Sequence, residues 1–269
     1  MVITVIGYSG FIGKELTKFL GKKYKIKKLD IRKIDLTLSD NQIIETLRYK
    51  MNNTQFIINC CANLKPKSIN DFIVNSKLPK LIQSSIQNLK QKVCFIHLST
   101  LNILLKERTD KYTISKKRGE VGLKKKNTII LRLPLIFNDS VDRKKSGNLT
   151  ILHKYLDINI LPFYPMIYPG HIYQPVLIAD LCIFINNLIK KKDPAFIYNL
   201  IGKKKLSFWD IFNSLAKKKN KRPIKINTLL ISKFLSKFRY FGFVRNSDFL
   251  SQIMSVDQSN FKNIQTTKI

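Results

Sequence analysis

Tyr112-Thr113-Ile114-Ser115-Lys116 sets a phenol and an amine four residues apart. On a helix that spacing puts both side chains on one face, within reach of a single pocket. A tyrosine moves protons poorly at neutral pH, because its unperturbed pKa is about 10. An ammonium held beside it favours the phenolate and lowers that value, so the pair can exchange a proton with a hydroxyl or a carbonyl. The spacing is common and lysine is abundant in this chain. The pair gains weight from its place, after the run ending in Ser99-Thr100 and before the apolar run from Thr128 to Leu133.

A second group of residues suits a phosphate-bearing ligand. Gly7-Tyr8-Ser9-Gly10-Phe11-Ile12-Gly13 follows an apolar run, Val2–Ile6, and opens a segment of helical periodicity. One glycine allows the tight turn, another lets a pyrophosphate approach the backbone, and the last permits close helix–sheet packing. The phosphates then sit on free N–H groups at the helix N-terminus. The spacing is GxxGxxG, not GxGxxG. Asp30 ends the second apolar run, seventeen residues after Gly13. A carboxylate there accepts hydrogen bonds from the adenosine ribose hydroxyls, which favours NAD; Arg32 could instead meet the 2′-phosphate of NADP.

The elements that must position these residues are legible as alternating periods. Strands are predicted over Val2–Ile6, Tyr24–Leu29, Phe56–Cys61, Val93–Leu98 and Thr128–Leu133. Helices are predicted over Ile12–Phe19, Gln42–Met51 with Ser39 as its cap, Ile69–Leu89 and Tyr112–Lys125. Strands alternating with crossover helices imply a parallel sheet covered on both faces, an α/β fold. After Pro134 the rhythm loosens. Asn138 to Gly147 reads as a basic loop, and Leu161 to Gly170, with three prolines, as an irregular surface loop. A helix Ala179–Lys191, a strand Phe196–Leu200 and a helix Ser207–Lys218 follow. We therefore expect a dinucleotide-binding core over 1–137 and a mixed part over 138–269 that completes the sheet and forms a substrate cap.

Taken in order, these motifs resemble the extended short-chain dehydrogenase/reductase superfamily, specifically its NAD-dependent epimerase/dehydratase group. The glycine motif resembles Gly7 to Gly13, and the family's strand end before a small-residue pair resembles Asn59-Cys60-Cys61-Ala62. Its acidic residue after the third strand resembles Asp35, with Leu36 beside it, usually an adenine contact. Asn75 falls where the family has a helix asparagine. His97-Leu98-Ser99-Thr100 and Arg132-Leu133-Pro134 resemble two further strand ends, and Tyr173-Gln174-Pro175-Val176 with Asp180 resembles the returning segment. The resemblance implies a Rossmann-type doubly wound sheet. It implies that Lys116 holds the nicotinamide ribose and that Thr100, with Ser99 as the alternative, hydrogen-bonds the reacting oxygen. It places Ser9, Phe11, Ile12, Cys60, Cys61, Ala62, Asn75 and Leu133 at the cofactor, and Asn63, Arg143 and Tyr173 at a nucleotide-sugar. Family members commonly dimerise through the helices that correspond to Ile69–Leu89 and Tyr112–Lys125. The stretch of eleven residues between Thr100 and Tyr112 is shorter than in many members.

Composition limits the alternatives. The 269 residues are 44% hydrophobic and carry a formal net charge of +32, from 49 Lys and Arg against 17 Asp and Glu. That balance attracts anionic surfaces, whether it is selected or reflects a biased genome that fills solvated positions with lysine. No motif of a specific nucleic-acid binder accompanies it. Four scattered cysteines fit buried thiols in a cytoplasmic protein, and no metal-ligand spacing is present. No apolar run reaches the ~18 residues needed to cross a bilayer. Thr228 to Val244 has apolar residues at helical spacing with Lys233, Lys237 and Arg239 between them, which suits either a cap helix or peripheral contact with an anionic membrane. Three functions therefore compete. They are an epimerase, dehydratase or reductase of a nucleotide-sugar, expected to serve surface polysaccharide biosynthesis; a dinucleotide-binding module with weakened chemistry; and a basic membrane or nucleic-acid surface binder.

Overall fold

The computed structural model describes residues 1–64, 66, 69–87, 92–105, 108–138, 149–158, 162–191, 194–227 and 266–269. Its elements in chain order are β1 (Val2–Ile6), α1 (Phe11–Leu20), β2 (Lys25–Leu29), α2 (Asp40–Lys50), β3 (Phe56–Asn59), α3 (Ile69–Ser76), α4 (Leu78–Gln87), β4 (Cys94–Thr100), α5 (Lys111–Glu120) and β5 (Thr128–Leu133). They continue with β6 (Ile136–Phe137), α6 (Thr150–Leu156), β7 (Tyr164–Tyr168), β8 (Ile172–Tyr173), β9 (Val176–Leu177), α7 (Ile178–Lys190), β10 (Ile197–Ile201), β11 (Leu206–Ser207), α8 (Phe208–Lys218) and β12 (Pro223–Asn227). Two compact units divide the chain: Met1–Leu133 with Ile178–Leu200, and Pro134–Leu177 with Ile201–Lys268.

In the first unit the strands run parallel in the order β10-β5-β4-β3-β1-β2. The interior strands β1, β3, β4 and β5 are buried almost throughout and rich in Ile, Val and Leu, as strands covered on both faces must be. β2 reads Lys-Ile-Lys-Lys-Leu, and its lysines reach solvent from a strand with only β1 beside it. The chain passes outward from β1 to β2, then returns to β3 on the other flank of β1. That reversal opens a crevice at the carboxyl ends of β1 and β3, where ligands bind in doubly wound sheets.

Local chemistry fixes the helix ends. α2 begins at a capping box, Ser39 accepting from the Gln42 N–H while the Gln42 side chain accepts from the Ser39 N–H. The single helix predicted over Ile69–Leu89 is two helices in the structure, interrupted at Lys77. Pro79 follows in the first turn of α4, where its missing N–H breaks no helical bond. α5 stops at Glu120, five residues before the expected end, and Gly122 adopts φ +86° just beyond it. Glu120 accepts a bidentate pair from Arg132 on β5, Nη2 to Oε2 at 2.7 Å, which ties the end of α5 to the sheet.

In the second unit β6 pairs with β9, β7 with β12 and β8 with β11. The irregular loop expected over Leu161 to Gly170 is corrected here: residues 164–168 form β7, parallel to β12, and the Tyr164 ring is buried against Leu156, Phe212 and their neighbours. Prolines punctuate this segment without preventing a strand, because a two-stranded sheet leaves edge positions that need no donor. Among the described residues no helix is long and apolar enough to cross a membrane. Residues 228–265, with the amphipathic stretch Thr228 to Val244, lie outside the described residues.

Candidate functional site

The glycine turn leaves the end of β1 and enters α1. Gly7 has φ +77°, and a Cβ there would stand 2.9 Å from the Cys61 backbone nitrogen. At Gly13 a Cβ would come within 2.2 Å of the Gly7 carbonyl oxygen, so α1 can pack this closely only on glycine. Gly10 is different. It is exposed, and its Cβ would meet nothing nearer than 3.4 Å, so the space above it is open. It is also the N-cap of α1 and supplies no side-chain cap, and the first turn holds no acidic residue. The N–H groups there, beginning with Phe11 and Ile12, keep their positive end of the helix dipole available to an anion.

Cys61 joins this turn to the Tyr–Lys pair. Its backbone lies against Gly7, its N–H donates to Asn59 Oδ1 at 3.0 Å, and its carbonyl receives Lys116 Nζ at 3.4 Å. Lys116 also donates to the Leu98 carbonyl at 2.8 Å. Its side chain is almost fully buried, and burial pulls its pKa down to about 8. Burial acts on the neighbouring thiols in the opposite sense, pushing Cys61 up to about 11 and Cys60 further still.

Tyr112 shares the face of α5 with Lys116, as its spacing requires. The expected lowering of its pKa is not what the structure gives. Burial, with a smaller push from Asp110, raises the phenol, and the Lys116 ammonium bonds to the carbonyls of Cys61 and Leu98. Thr100 is buried at the end of β4 and its hydroxyl accepts from the Asn102 N–H at 3.3 Å; Ser99 is buried too, with no partner for its Oγ.

Every polar atom of the Asn75 amide is engaged. Its oxygen accepts from the Asn63 N–H, and its nitrogen donates to the Asn63 carbonyl and to Ser115 Oγ, all within 2.9 Å. One side chain thus joins the segment after β3, α3 and α5. The helices approach so closely that a Cβ on Gly119 would meet the Asn75 carbonyl at 2.2 Å.

At the other end of the turn, Asp30 follows β2. Arg32 folds back on it, Nε to Oδ1 at 2.9 Å and Nη2 to Oδ2 at 2.8 Å, and holds the carboxyl at about 2. Asp35 is expected after the third strand; it lies instead between β2 and α2, because no strand forms in that interval. Its carboxylate accepts from the Thr37 hydroxyl and N–H, which lowers its pKa. Leu36 packs on the core of this unit and Leu133 is buried at the end of β5, while Ser9 and Ala62 are exposed. Tyr173 belongs to the second unit, where it packs against His171 and Phe208. Arg143, with its neighbours Lys144 and Lys145, lies outside the described residues.

Two buried residues behind the site were not singled out from the sequence. Asn59 Nδ2 and His97 Nδ1 are 3.2 Å apart, linking β3 to β4, and burial holds the His97 pKa well below its usual value. Both fall in segments marked by motif, Asn59 at the end of β3 and His97 in the middle of β4, but only pairing in the sheet shows that they meet.

No known family profile matches the sequence, and no curated protein matches it. Solved structures do match in fold. A dTDP-4-dehydrorhamnose reductase from Bacillus anthracis str. Ames, in complex with NADP, shares 17% identity over 86% of this chain and 85% of its own, with a TM-score of 0.68. A UDP-glucuronic acid 4-epimerase from Bacillus cereus, in complex with UDP-glucuronic acid and NAD, shares 17% over 84% and 86%, with a TM-score of 0.65. A dTDP-glucose 4,6-dehydratase from Bacillus anthracis str. Ames, in complex with NAD, shares 15% over 84% of each chain, with a TM-score of 0.65. The chain has the fold of these enzymes, the α/β Rossmann architecture expected from its motifs.

Proposed function

We propose that this chain is a member of the epimerase/dehydratase group of extended short-chain dehydrogenases/reductases, binding a nicotinamide dinucleotide and acting on a nucleotide-diphosphate sugar. One observation carries the reading. Cys61 touches the glycine turn through its backbone and the buried Lys116 ammonium through its carbonyl, so the phosphate cradle and the Tyr–Lys pair form one continuous site. The residues present fit such a cofactor. Gly10 leaves the helix N-terminus open to a pyrophosphate, and Gly7 and Gly13 give the turn its shape. The nicotinamide supplies the hydride when bound.

The protein's own part is the proton. Tyr112, kept protonated by burial, is suited to donate to a carbonyl oxygen as it is reduced. Thr100 and Ser99 stand at the end of β4 as hydrogen-bonding groups for that oxygen. Lys116 fixes the face of α5 against the strand ends and supplies positive charge beneath the site.

A second reading rests on the same geometry. Lys116 is turned to the backbone and does not bias Tyr112, which is the arrangement of a binding module without turnover. The experiment that separates the two begins by denaturing the purified protein and identifying any released dinucleotide by mass. NADH or NADPH turnover with dTDP- and UDP-linked keto-sugars is then measured for the wild type and Tyr112→Phe. Turnover that falls at least about 100-fold in the variant, with dinucleotide binding kept, supports the enzyme. Binding with no turnover on any such sugar supports the module. No binding of either dinucleotide removes the proposal.

A further inference from the structure

We infer that the outward face of α5, with the turn that follows it, is a docking surface for an anionic membrane. The helix divides by period. Thr113, Ser115, Lys116 and Gly119 are buried, while Ile114, Lys117, Arg118 and, just past the helix, Val121 face solvent. Ile114 is 37% exposed and Val121 62%, and the two lie on one face about two turns apart. Lys117 and Arg118 stand between them on that face.

The turn extends the patch. Lys124, Lys125 and Lys126 are all exposed, and Gln83 on α4 holds their run in place, donating to the Lys124 carbonyl at 2.8 Å and accepting from its N–H at 2.9 Å. Lys80 on α4 brings another ammonium alongside, since a Cβ on Gly122 would stand 3.8 Å from Lys80 Nζ. From Lys111 to Asn127 the only carboxylate is Glu120, and Arg132 engages it from β5.

This pattern selects among occupants. A second copy of the chain laid on the same face would set cation against cation, which opposes it. A single-stranded nucleic acid would find partners for its phosphates but no ring to stack on, because the outward residues are aliphatic or basic. An anionic bilayer suits both parts of the surface. The aliphatic side chains enter the boundary between headgroups and acyl chains, and the cations stay among the lipid phosphates. The contact uses none of the residues proposed above for the dinucleotide.

The test mixes the full-length protein with vesicles of phosphatidylcholine alone, or of equal parts phosphatidylcholine and phosphatidylglycerol, and reads binding by flotation. We expect binding to the mixed vesicles only, weakened at least about tenfold by high salt as the charges are screened. Lys117→Gln with Arg118→Gln and Lys125→Gln should weaken it at least about tenfold. An equal change of charge at exposed sites of the second unit, Lys203→Gln with Lys204→Gln and Lys205→Gln, should weaken it less than about threefold. Ile114→Ser with Val121→Ser, which leaves the charge unchanged, should weaken it at least about threefold. Thermal unfolding checks that each variant keeps its fold. Equal losses from the two charge variants would reveal a diffuse field and overturn the inference. Binding to phosphatidylcholine alone, or to neither vesicle, overturns it too. Every variant keeps the stretch Thr228 to Val244, so binding carried there would survive the α5 substitutions and also overturn it. A dimer in solution that Ile114→Ser with Val121→Ser dissociates would assign the face to a second copy instead.

Discussion

Lys116 Nζ lies 2.8 Å from the carbonyl oxygen of Leu98, eighteen residues earlier in the chain, inside a site from which almost all of the lysine is shielded. This contact fixes α5 against β4. Four residues earlier on the same helix, burial and Asp110 raise the pKa of Tyr112.

Burial makes Lys116 a source of pH-dependent stability with a definite sign. Its pKa falls from 10.5 to about 8 on folding. Below the folded value both states are charged and the penalty is complete. Between the two values the unfolded chain holds more protons, so stability rises with pH. The shift is worth at most about 3 kcal/mol. Lys116→Met should remove this rise, and urea unfolding of both proteins at about pH 7 and about pH 10 measures the difference in slope. Equal slopes would show that Lys116 keeps its ordinary pKa.

Gly10 and Gly13 should respond oppositely to alanine. Gly13→Ala forces a Cβ to within 2.2 Å of the Gly7 carbonyl and should cost about 3 kcal/mol of stability. Gly10→Ala meets only a 3.4 Å contact at an ordinary φ of −72° and should cost under about 1 kcal/mol. Its methyl instead occupies the approach to the helix N-terminus, so dinucleotide affinity should fall tenfold or more by roughly the scale of one lost phosphate contact. Thermal unfolding and titration of each variant separate the two effects.

Asn75→Ala should remove three hydrogen bonds, two to the half-buried backbone of Asn63 and one to the Ser115 hydroxyl, which keeps its own bond to the Tyr112 carbonyl. We expect a loss of about 3 kcal/mol, the scale of several lost hydrogen bonds. A double-mutant cycle with Ser115→Ala should show coupling of about 1 kcal/mol. Strict additivity would mean that the Asn75–Ser115 bond contributes nothing.

Glu120→Ala should strand the Arg132 guanidinium, whose side chain is only 17% exposed. Breaking a largely buried pair by removing one partner should cost about 3 kcal/mol. Arg132 keeps Asn199 as a partner, so Glu120→Gln, which retains a hydrogen-bond acceptor, should cost visibly less. Denaturant unfolding of the two variants orders them.

Much of the site was legible because its signals are local. The glycine turn follows a strand, Ser39 and Gln42 close a capping box, and Tyr112 and Lys116 keep helical spacing, all within a few residues of chain. Asp35 was misplaced relative to the strands because motif order says nothing about which intervals form a strand. The segment at Tyr164–Tyr168 read as a loop because its prolines are visible in sequence and its partner, Pro223–Asn227, is not. The Asn59–His97 contact is not legible in sequence for the same reason: it depends on the register of β3 against β4.

By itself the sequence determined the α/β alternation, the turn that can cradle a phosphate and the helix face that carries a phenol and an amine. These follow from side-chain period and from turn chemistry, which act between near neighbours. The tertiary structure decided the strand order, the turning of Lys116 to the carbonyls of Cys61 and Leu98, the burial that raises the Tyr112 phenol and the folding of Arg32 onto Asp30. Those outcomes depend on burial and on which distant segments come to share one end of a sheet, and no window of sequence contains them.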